Sequence, residues 1–328
     1  MKSQRKIICI VGPTASGKTG WGVEIAKKFN GEIVSADSRQ VYRKLDIGTG
    51  KDLKEYGEIK YHLINICEPE ENFTMFDWLT EAKKIVEDIF ARGKVPIIVG
   101  GTGLYVQGLC EGFQIQKSPQ GQLSQEKIKN QNDKSKVKNY SRQELDKMSL
   151  EELQRICLQL TAYDLQLDKN NPRRLIRAIE RAQSGEIVTK VKPDFEALQI
   201  GVELPRDILY SRIDKRVESR FDDGMLEEVV GLIDSGVDPK WLTSLGLEYG
   251  IIGNFVIENS LPAGSAEARK IKNCKMENSP EFLKMKQQLK FAIHAYARRQ
   301  LTWFRRFPEI VWRRDFKSAE KEIKKFLL

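Results

Sequence analysis

Residues 6–19 read KIICIVGPTASGKT, an apolar run that passes directly into Gly12-Pro13-Thr14-Ala15-Ser16-Gly17-Lys18-Thr19. The spacing G-x-x-x-x-G-K-[ST] is complete. The run before it has the content of a buried strand, and WGVEIAKKF (21–29) after it reads as a helix. Gly12 and Gly17 permit backbone conformations that a β-carbon blocks, so successive amides can turn inward and hold an anion at a helix N-terminus. Lys18 adds a point charge, and the Thr19 hydroxyl is suited to a magnesium ion. The stretch from Gly12 to Thr19 therefore predicts a bound di- or triphosphate, and the motif alone does not say which.

Working outward, the first hundred residues alternate between strand and helix patterns. Strands at 6–11, 31–37 (GEIVSAD) and 94–100 (KVPIIVG), with helices near 19–29 and 75–92, make βαβ units of a parallel sheet. The expected fold is α/β, a P-loop nucleotide-kinase-like core with its phosphate site at the carboxyl ends of the strands. From 116 to about 140 the chain turns polar and Lys-rich and reads as a flexible loop. Helical patterns follow at 149–160 and at 171–183, the second opening with Asn171 as cap and Pro172 in the first turn. EALQIGVEL (196–204) then returns to the sheet. A mainly helical insertion domain is thus expected over 116–185, with the core formed by 1–115 and 186–328. Residues 206–236 and the basic carboxyl segment read as helix, joined by loop composition at 258–281.

Bulk composition narrows the function classes. No run of about 18 apolar residues is present and the amino terminus does not read as a signal peptide, so the expectation is a cytoplasmic protein that does not enter a membrane. The five cysteines, Cys9, Cys67, Cys110, Cys157 and Cys274, stand singly beside only two histidines. That pattern argues against a zinc site or a disulfide framework and for reduced thiols. The net charge of +9 is concentrated: Lys284 to Arg314 holds nine basic residues against Glu309 alone, interleaved with Phe291, Tyr296, Trp303, Phe304, Phe307 and Trp312. Such a bias suits a polyanion, and rings beside arginines suit unpaired bases. The competing reading makes the rings core and the charges a solubilising surface.

An ATPase of this fold carries an acid at the end of a strand to help hold magnesium. Here VPIIVG runs into Gly100-Gly101-Thr102-Gly103 with no acid, where Thr102 offers a hydroxyl near the anion. The acid appears instead at Asp37, in SADSRQ (35–40), where it either accepts a proton from an attacking group or caps a following helix.

GPTASGKT, SADSRQVYRKLDIGTGK (35–51), GGTGLYVQGL (100–109), NPRRLIRAIE (171–180) and YARRQLTWFRR (296–306) together resemble the tRNA dimethylallyltransferases, also called tRNA isopentenyltransferases. The motifs stand in family order and span nearly the whole chain. The resemblance implies that the loop holds the diphosphate of dimethylallyl diphosphate, the leaving group, while the prenyl group moves to the exocyclic N6 amine of the adenosine 3′-adjacent to the anticodon in tRNA. It implies Asp37 as general base, Thr102 beside the target nucleotide, Arg220 on the diphosphate and magnesium at Thr19. By the same resemblance the anticodon stem-loop is met by Asp37, Ser38, Arg39, Gln40 and Thr102, by Arg173, Arg174 and Arg177 of the insertion, and by Arg298, Arg299, Arg305 and Arg306. A monomer is expected. His62 matches a family histidine and reads as structural.

The chain departs from the family at Leu245-Gly246-Leu247-Glu248-Tyr249, in the length of 258–281, and at His294, where the family has arginine. With no zinc-finger extension after Leu328, the bacterial members are the closer pattern. Three rivals differ in their predictions. A small-molecule or nucleotide kinase would transfer phosphate, a cytokinin-type adenylate isopentenyltransferase would use free nucleotide, and a noncatalytic RNA-binding P-loop protein would not need Asp37.

Overall fold

In the computed structural model, which describes residues 5–117, 139–160, 168–259 and 279–328, the chain divides into two compact units. One comprises Met1–Glu111 with Pro193–Leu328, the other Gly112–Lys192.

The first unit begins with β1 (Arg5–Val11), α1 (Lys18–Lys28), β2 (Gly31–Ser35), β3 (Tyr61–His62), α2 (Met75–Ala91), β4 (Val95–Gly100) and α3 (Gly103–Cys110). Ile7 to Val11 are all fully buried, as a strand covered on both faces requires, which is why the run is continuous instead of alternating. In the second unit lie β5 (Phe113–Lys117), α4 (Arg142–Leu145), α5 (Leu150–Leu160), α6 (Pro172–Ser184) and β6 (Glu186–Lys190). The chain then rejoins the first unit as β7 (Phe195–Val202), α7 (Arg206–Asp222), α8 (Met225–Asp234), α9 (Pro239–Ser244), α10 (Leu247–Glu258), α11 (Pro280–Phe304), β8 (Val311–Arg313) and α12 (Phe316–Leu327).

The six-stranded sheet runs β3-β2-β4-β1-β7-β8, with every neighbouring pair parallel. On one face Ile8, Ile10, Ile33, Ile97, Val99 and Ile200 meet Val23 and Ile25 of α1 together with Ala319 and Ile323 of α12. Each such valine or isoleucine side chain contributes about 1.5–3 kcal/mol by burial. On α1, Gly22 leaves room for Val99, whose methyl group would lie 2.5 Å from an added β-carbon. Trp78 of α2 is fully buried, stacks on Tyr105 of α3 and donates to the Ser35 carbonyl at 2.9 Å. His62 contacts buried Glu32 at 2.8 Å, a structural partner as its sequence context suggested. Burial opposes ionisation of Glu32, but hydrogen bonds from Arg92, His62 and Lys94 hold its carboxyl down at about 2.

In the second unit Leu175, Ile176, Ala178 and Ile179 of α6 pack on Leu145, Leu153, Ile156 and Cys157. Asn171 caps α6 by accepting from the Arg174 amide, with Pro172 in the first turn. β5 and β6 pair antiparallel, so the unit carries a strand pair that the helical reading of the insertion did not include.

Three further expectations change. The 206–236 region is two helices, broken where Gly224 adopts a left-handed φ of 98° before α8. The basic carboxyl segment is not helix throughout, because β8 pairs with β7 at the sheet edge. No helix follows Asp37; its carboxylate accepts from the Arg39 amide at 2.9 Å and closes a turn. Most of the loop readings at 116–140 and 258–281, and Cys274, fall outside the described residues. Cys9, Cys67 and Cys110 are free thiols.

Candidate active site

The sheet brings three turns to the carboxyl ends of adjacent strands: residues 12–17 after β1, Asp37 after β2, and Gly101–Thr102 after β4. With α7, α10 and α11 they line a cleft open to solvent, whose walls include Thr14, Lys18, Thr19, Asp37, Arg220 and Gln300.

The glycine loop has the strained backbone that its motif demands. Gly12 and Gly17 have φ of 154° and 90°, and Ala15 joins them at 60°. Gly17 precedes α1 without a side-chain cap, and the first helical turn carries no acidic residue, so the positive end of the helix faces the cleft unopposed. Two loop amides are already committed: Ser16 donates to the Pro13 carbonyl at 3.3 Å and Thr14 to Gln300 Oε1 at 2.9 Å. The Ser16 hydroxyl is buried and has no partner. Lys18 donates to the Pro13 carbonyl at 3.1 Å, folding its ammonium back across the loop. Burial pushes the Lys18 pKa down to about 8, opposed by Asp37 and aided by Arg216.

Arg220 is buried at 8% exposure, and its Nη1 donates to the Gly48 carbonyl at 3.1 Å while Nη2 has no partner. Burial, reinforced by neighbouring Arg216, lowers its pKa to about 10. An unpaired buried guanidinium nitrogen has unmet capacity for an anion. Sequence reasoning missed Arg212 and Arg216, which stand two turns and one turn before Arg220 on α7. Arg212 reaches the Ser16 carbonyl at 3.5 Å, and Arg216 lies 3.3 Å from Asp52. Four-residue spacing on one helix was the available signal. The 46–50 loop beside Arg216 and Arg220 is anchored by Glu228, which accepts from the amides of Asp46, Ile47 and Gly48 at 2.8, 2.6 and 3.0 Å, and from the Tyr249 hydroxyl.

In the same cleft Asp37 and Gln40 come together with the neighbouring Ser38 and Thr102. Thr102 Oγ1 accepts from the Ser38 amide at 3.1 Å. Gln40 is held by the Ser35 hydroxyl and by the Gly50 carbonyl. Arg39 is already engaged, by Glu248 at 3.1 Å and the Leu245 carbonyl at 2.7 Å. The 245–249 departure therefore forms part of the cleft wall. Gln300 of α11, another residue not singled out from sequence, spans the Thr14 amide and the Gly101 carbonyl, both at 2.9 Å.

The basic carboxyl segment is less one-signed in space than in sequence. Lys286 and Lys290 meet Glu218, Arg305 and Arg314 meet Glu203, and Arg313 meets Glu322. Among the described residues, Lys284, Arg298, Arg299 and Arg306 have no acidic partner, although Arg298 donates to the Tyr210 hydroxyl. Arg298, Arg299, Arg305 and Arg306 are all exposed. The rings divide between the two readings. Phe304 is core, Trp303 packs against Gly103 and Trp312 against Gly201, whereas Phe291 is 61% exposed. Tyr296 lines the cleft between the guanidiniums of Arg39 and Arg299. Within the second unit Arg173, Arg174 and Arg177 are exposed on α6, Arg174 near Asp168 and Arg177 near Glu180 and Glu186.

For a metal, the cleft offers oxygen donors: the Thr19 hydroxyl and the Asp37 carboxylate. Magnesium takes such ligands and fills its remaining positions with phosphate oxygens and water, so this donor set fits it.

A cationic glycine loop sharing an open cleft with a carboxylate is found here in a chain with extensive relatives. The chain is 39% identical over 307 residues to a tRNA dimethylallyltransferase 2 of Shewanella sediminis, covering 92% of this chain and 90% of that one. It is 39% identical over 301 residues to a tRNA dimethylallyltransferase of Streptococcus agalactiae, covering 92% and 88%. Its fold is similar to that of a tRNA isopentenylpyrophosphate transferase from Bacillus halodurans, with a TM-score of 0.67 and 29% identity over 99% of this chain and 96% of that one. An isopentenyl transferase model matches residues 5–60 and an IPP transferase model residues 40–307, so the chain belongs to the IPP transferase family.

Proposed function

We propose that this chain transfers the dimethylallyl group of dimethylallyl diphosphate to the exocyclic N6 amine of the adenosine 3′-adjacent to the anticodon in tRNA. The observation that carries the reading is the composition of the cleft. Lys18 and the unsatisfied Arg220 line it together with Asp37, and the strand end at Gly100–Thr102 carries no acid for a nucleotide-bound metal.

The bond between the allylic carbon and the diphosphate oxygen breaks, and a bond from that carbon to N6 forms. Negative charge grows on the diphosphate, where the Gly12 to Thr19 loop, the helix N-terminus, Lys18 and Arg220 are preorganised to meet it. Magnesium, held at Thr19, supplies neutralisation of that leaving group when bound. Asp37 accepts the N6 proton, with Thr102 and the turn at Ser38 fixing its approach. Because an adenine amine is a weak nucleophile, alignment by the walls of the cleft contributes more than basicity.

The adenosine leaves its stack to enter the cleft, so the stem-loop is gripped around it. Ser38, Gln40, Arg298, Arg299 and Arg306 carry that grip in the first unit, with Arg39 and Arg305 contributing from their ion pairs; in the second unit, taken by itself, Arg173, Arg174 and Arg177 are exposed cations suited to RNA phosphates. The tRNA substrate places the enzyme in the cytoplasm. Among the described residues no helix is long and apolar enough to cross a membrane.

The test supplies magnesium and radiolabelled dimethylallyl diphosphate with either unmodified tRNA or AMP. Label in tRNA alone is the expected result. Label in AMP would assign a cytokinin-type enzyme, and label in neither would refute prenyl transfer.

A further inference from the structure

The main chain of the 46–50 loop holds two side chains of the cleft at once. The Gly48 carbonyl accepts from Arg220 Nη1 at 3.1 Å, and the Gly50 carbonyl accepts from Gln40 Nε2, also at 3.1 Å. Gln40 in turn stands beside Asp37, whose Oδ1 accepts from the Gln40 amide at 3.4 Å. Gly50 has a left-handed φ of 66°, and a β-carbon there would lie 2.0 Å from Arg216 Nη2 and 1.8 Å from Arg220 Nη2. The guanidiniums of Arg216 and Arg220 therefore converge on one glycine, and the course of the loop sets where each of them stands.

That course is fixed from α8. Glu228 Oε2 accepts from the amides of Asp46 and Ile47, and Oε1 accepts from the Gly48 amide and from the Tyr249 hydroxyl at 2.6 Å. Tyr249 is fully buried with its ring against Gly48, where a β-carbon would come within 2.7 Å of the phenol. Each carboxylate oxygen thus takes two donors, and hydrogen bonds to a charged acceptor are the strong ones. Glu228 itself is not among the residues lining the cleft. Any effect it has on a ligand there passes through the loop.

We propose that Glu228 is a positioning residue for the transfer reaction. By fixing the amides of 46–48 it sets the Gly48 carbonyl that orients Arg220 toward the diphosphate, and the same loop carries the Gly50 carbonyl that holds Gln40 beside Asp37. One carboxylate outside the cleft so keeps a donor-binding group and an acceptor-binding group in register, which matters because in-line transfer depends on alignment. The proposal rests on the reading of the cleft as a diphosphate site.

The test measures binding of inorganic diphosphate to the full-length protein with magnesium by calorimetry, together with steady-state transfer to tRNA. Glu228→Gln keeps the length of the side chain but turns an NH2 group toward one pair of donors. It is expected to weaken diphosphate binding at least ~10-fold, the scale of one lost hydrogen bond to a charged group, and to lower kcat as well. In an Arg220→Lys background, where the guanidinium bond to Gly48 is already gone, the same change should weaken diphosphate binding less than ~2-fold. A residue that only supports the fold would act additively, with the same loss in both backgrounds. Such additivity, or wild-type diphosphate affinity in a folded Glu228→Gln protein, would overturn the positioning role. Tyr249→Phe keeps the ring, removes one donor from the carboxylate and decides the matter if Glu228→Gln does not fold. A loss of about 3-fold that depends on Arg220 is expected from it, and an equal loss in both backgrounds, or none, would overturn the role. Failure of the unaltered protein to bind diphosphate would instead overturn the reading of the cleft.

Discussion

Gln300→Ala removes a side chain that contacts two of the three turns forming the cleft. In the native protein Gln300 is 7% exposed and makes two hydrogen bonds of 2.9 Å, accepting from the Thr14 amide and donating to the Gly101 carbonyl. Truncation leaves both main-chain groups without their partner. An orphaned buried polar group costs about 1–3 kcal/mol. Thr14 is half-buried and water can reach it, which places it at the low end, while Gly101 is buried and belongs nearer the high end. The sum is about 2–4 kcal/mol of lost stability. It should be read by chemical denaturation as a lower midpoint with an unchanged slope. The loop is also released from its tether, and a misplacement of about 1 Å at a reacting site lowers rate on the order of 100-fold. Gln300→Glu provides the control in the opposite sense. It keeps the acceptor for Thr14 but turns an oxygen toward the Gly101 carbonyl, and it adds an anion beside the diphosphate site, so it should be at least as harmful to kcat/KM. A Gln300→Ala protein that loses under ~0.5 kcal/mol and retains wild-type kcat/KM would refute the assignment of a tether.

Three further outcomes are expected. Asp37→Asn should lower single-turnover transfer by about 10²–10⁴-fold while tRNA affinity changes little; full turnover in the variant would remove Asp37 as the base. Lys18, with its pKa lowered to about 8, is protonated below that pH and neutral above it. The free enzyme should therefore bind the donor best below pH 8 and lose affinity as pH rises through it, giving a falling limb in kcat/KM; a flat profile from pH 7 to 10 would contradict the role of that charge. Arg306→Ala should reduce the slope of log tRNA affinity against log salt by about 1. Arg305→Ala, whose guanidinium already faces Glu203 at 3.5 Å, should reduce it less, and equal effects would count against the distinction.

The glycine loop and its flanking strand and helix were legible because eight consecutive residues specify backbone shape and charge together. Asp37 and Thr102 were legible as strand-end residues, and the sheet does bring their turns together. β3 and β8 were not, since two- and three-residue strands are too short to show a period of two and exist through their pairing with β2 and β7. β5 and β6 lie at the ends of the expected insertion, where polar composition and helical patterns dominate the reading. The engagement of Arg39 by Glu248 joins positions 209 residues apart, and no local pattern reports such a pair. Gln300 left a readable trace. The buried positions of α11 are Phe282, Met285, Leu289, Ile293, Ala297, Gln300 and Phe304, a helical period in which one polar residue occupies an apolar place. A polar side chain on that stripe has to find partners, and here they are the main chain of the active-site turns.

That same bond between Thr14 and Gln300 closes a span of 286 residues. At ribosomal rates of ~5–20 residues/s, the phosphate loop is made roughly 15–60 s before the residue that steadies it. The βαβ units of the amino-terminal half can pair as they emerge, yet the nascent protein holds an unfinished cleft until α11 has left the exit tunnel. Synthesis itself therefore acts as a timer: the chain becomes competent only once α11 has emerged, and a truncated product that ends before α11 has the phosphate loop without the means to hold it in shape.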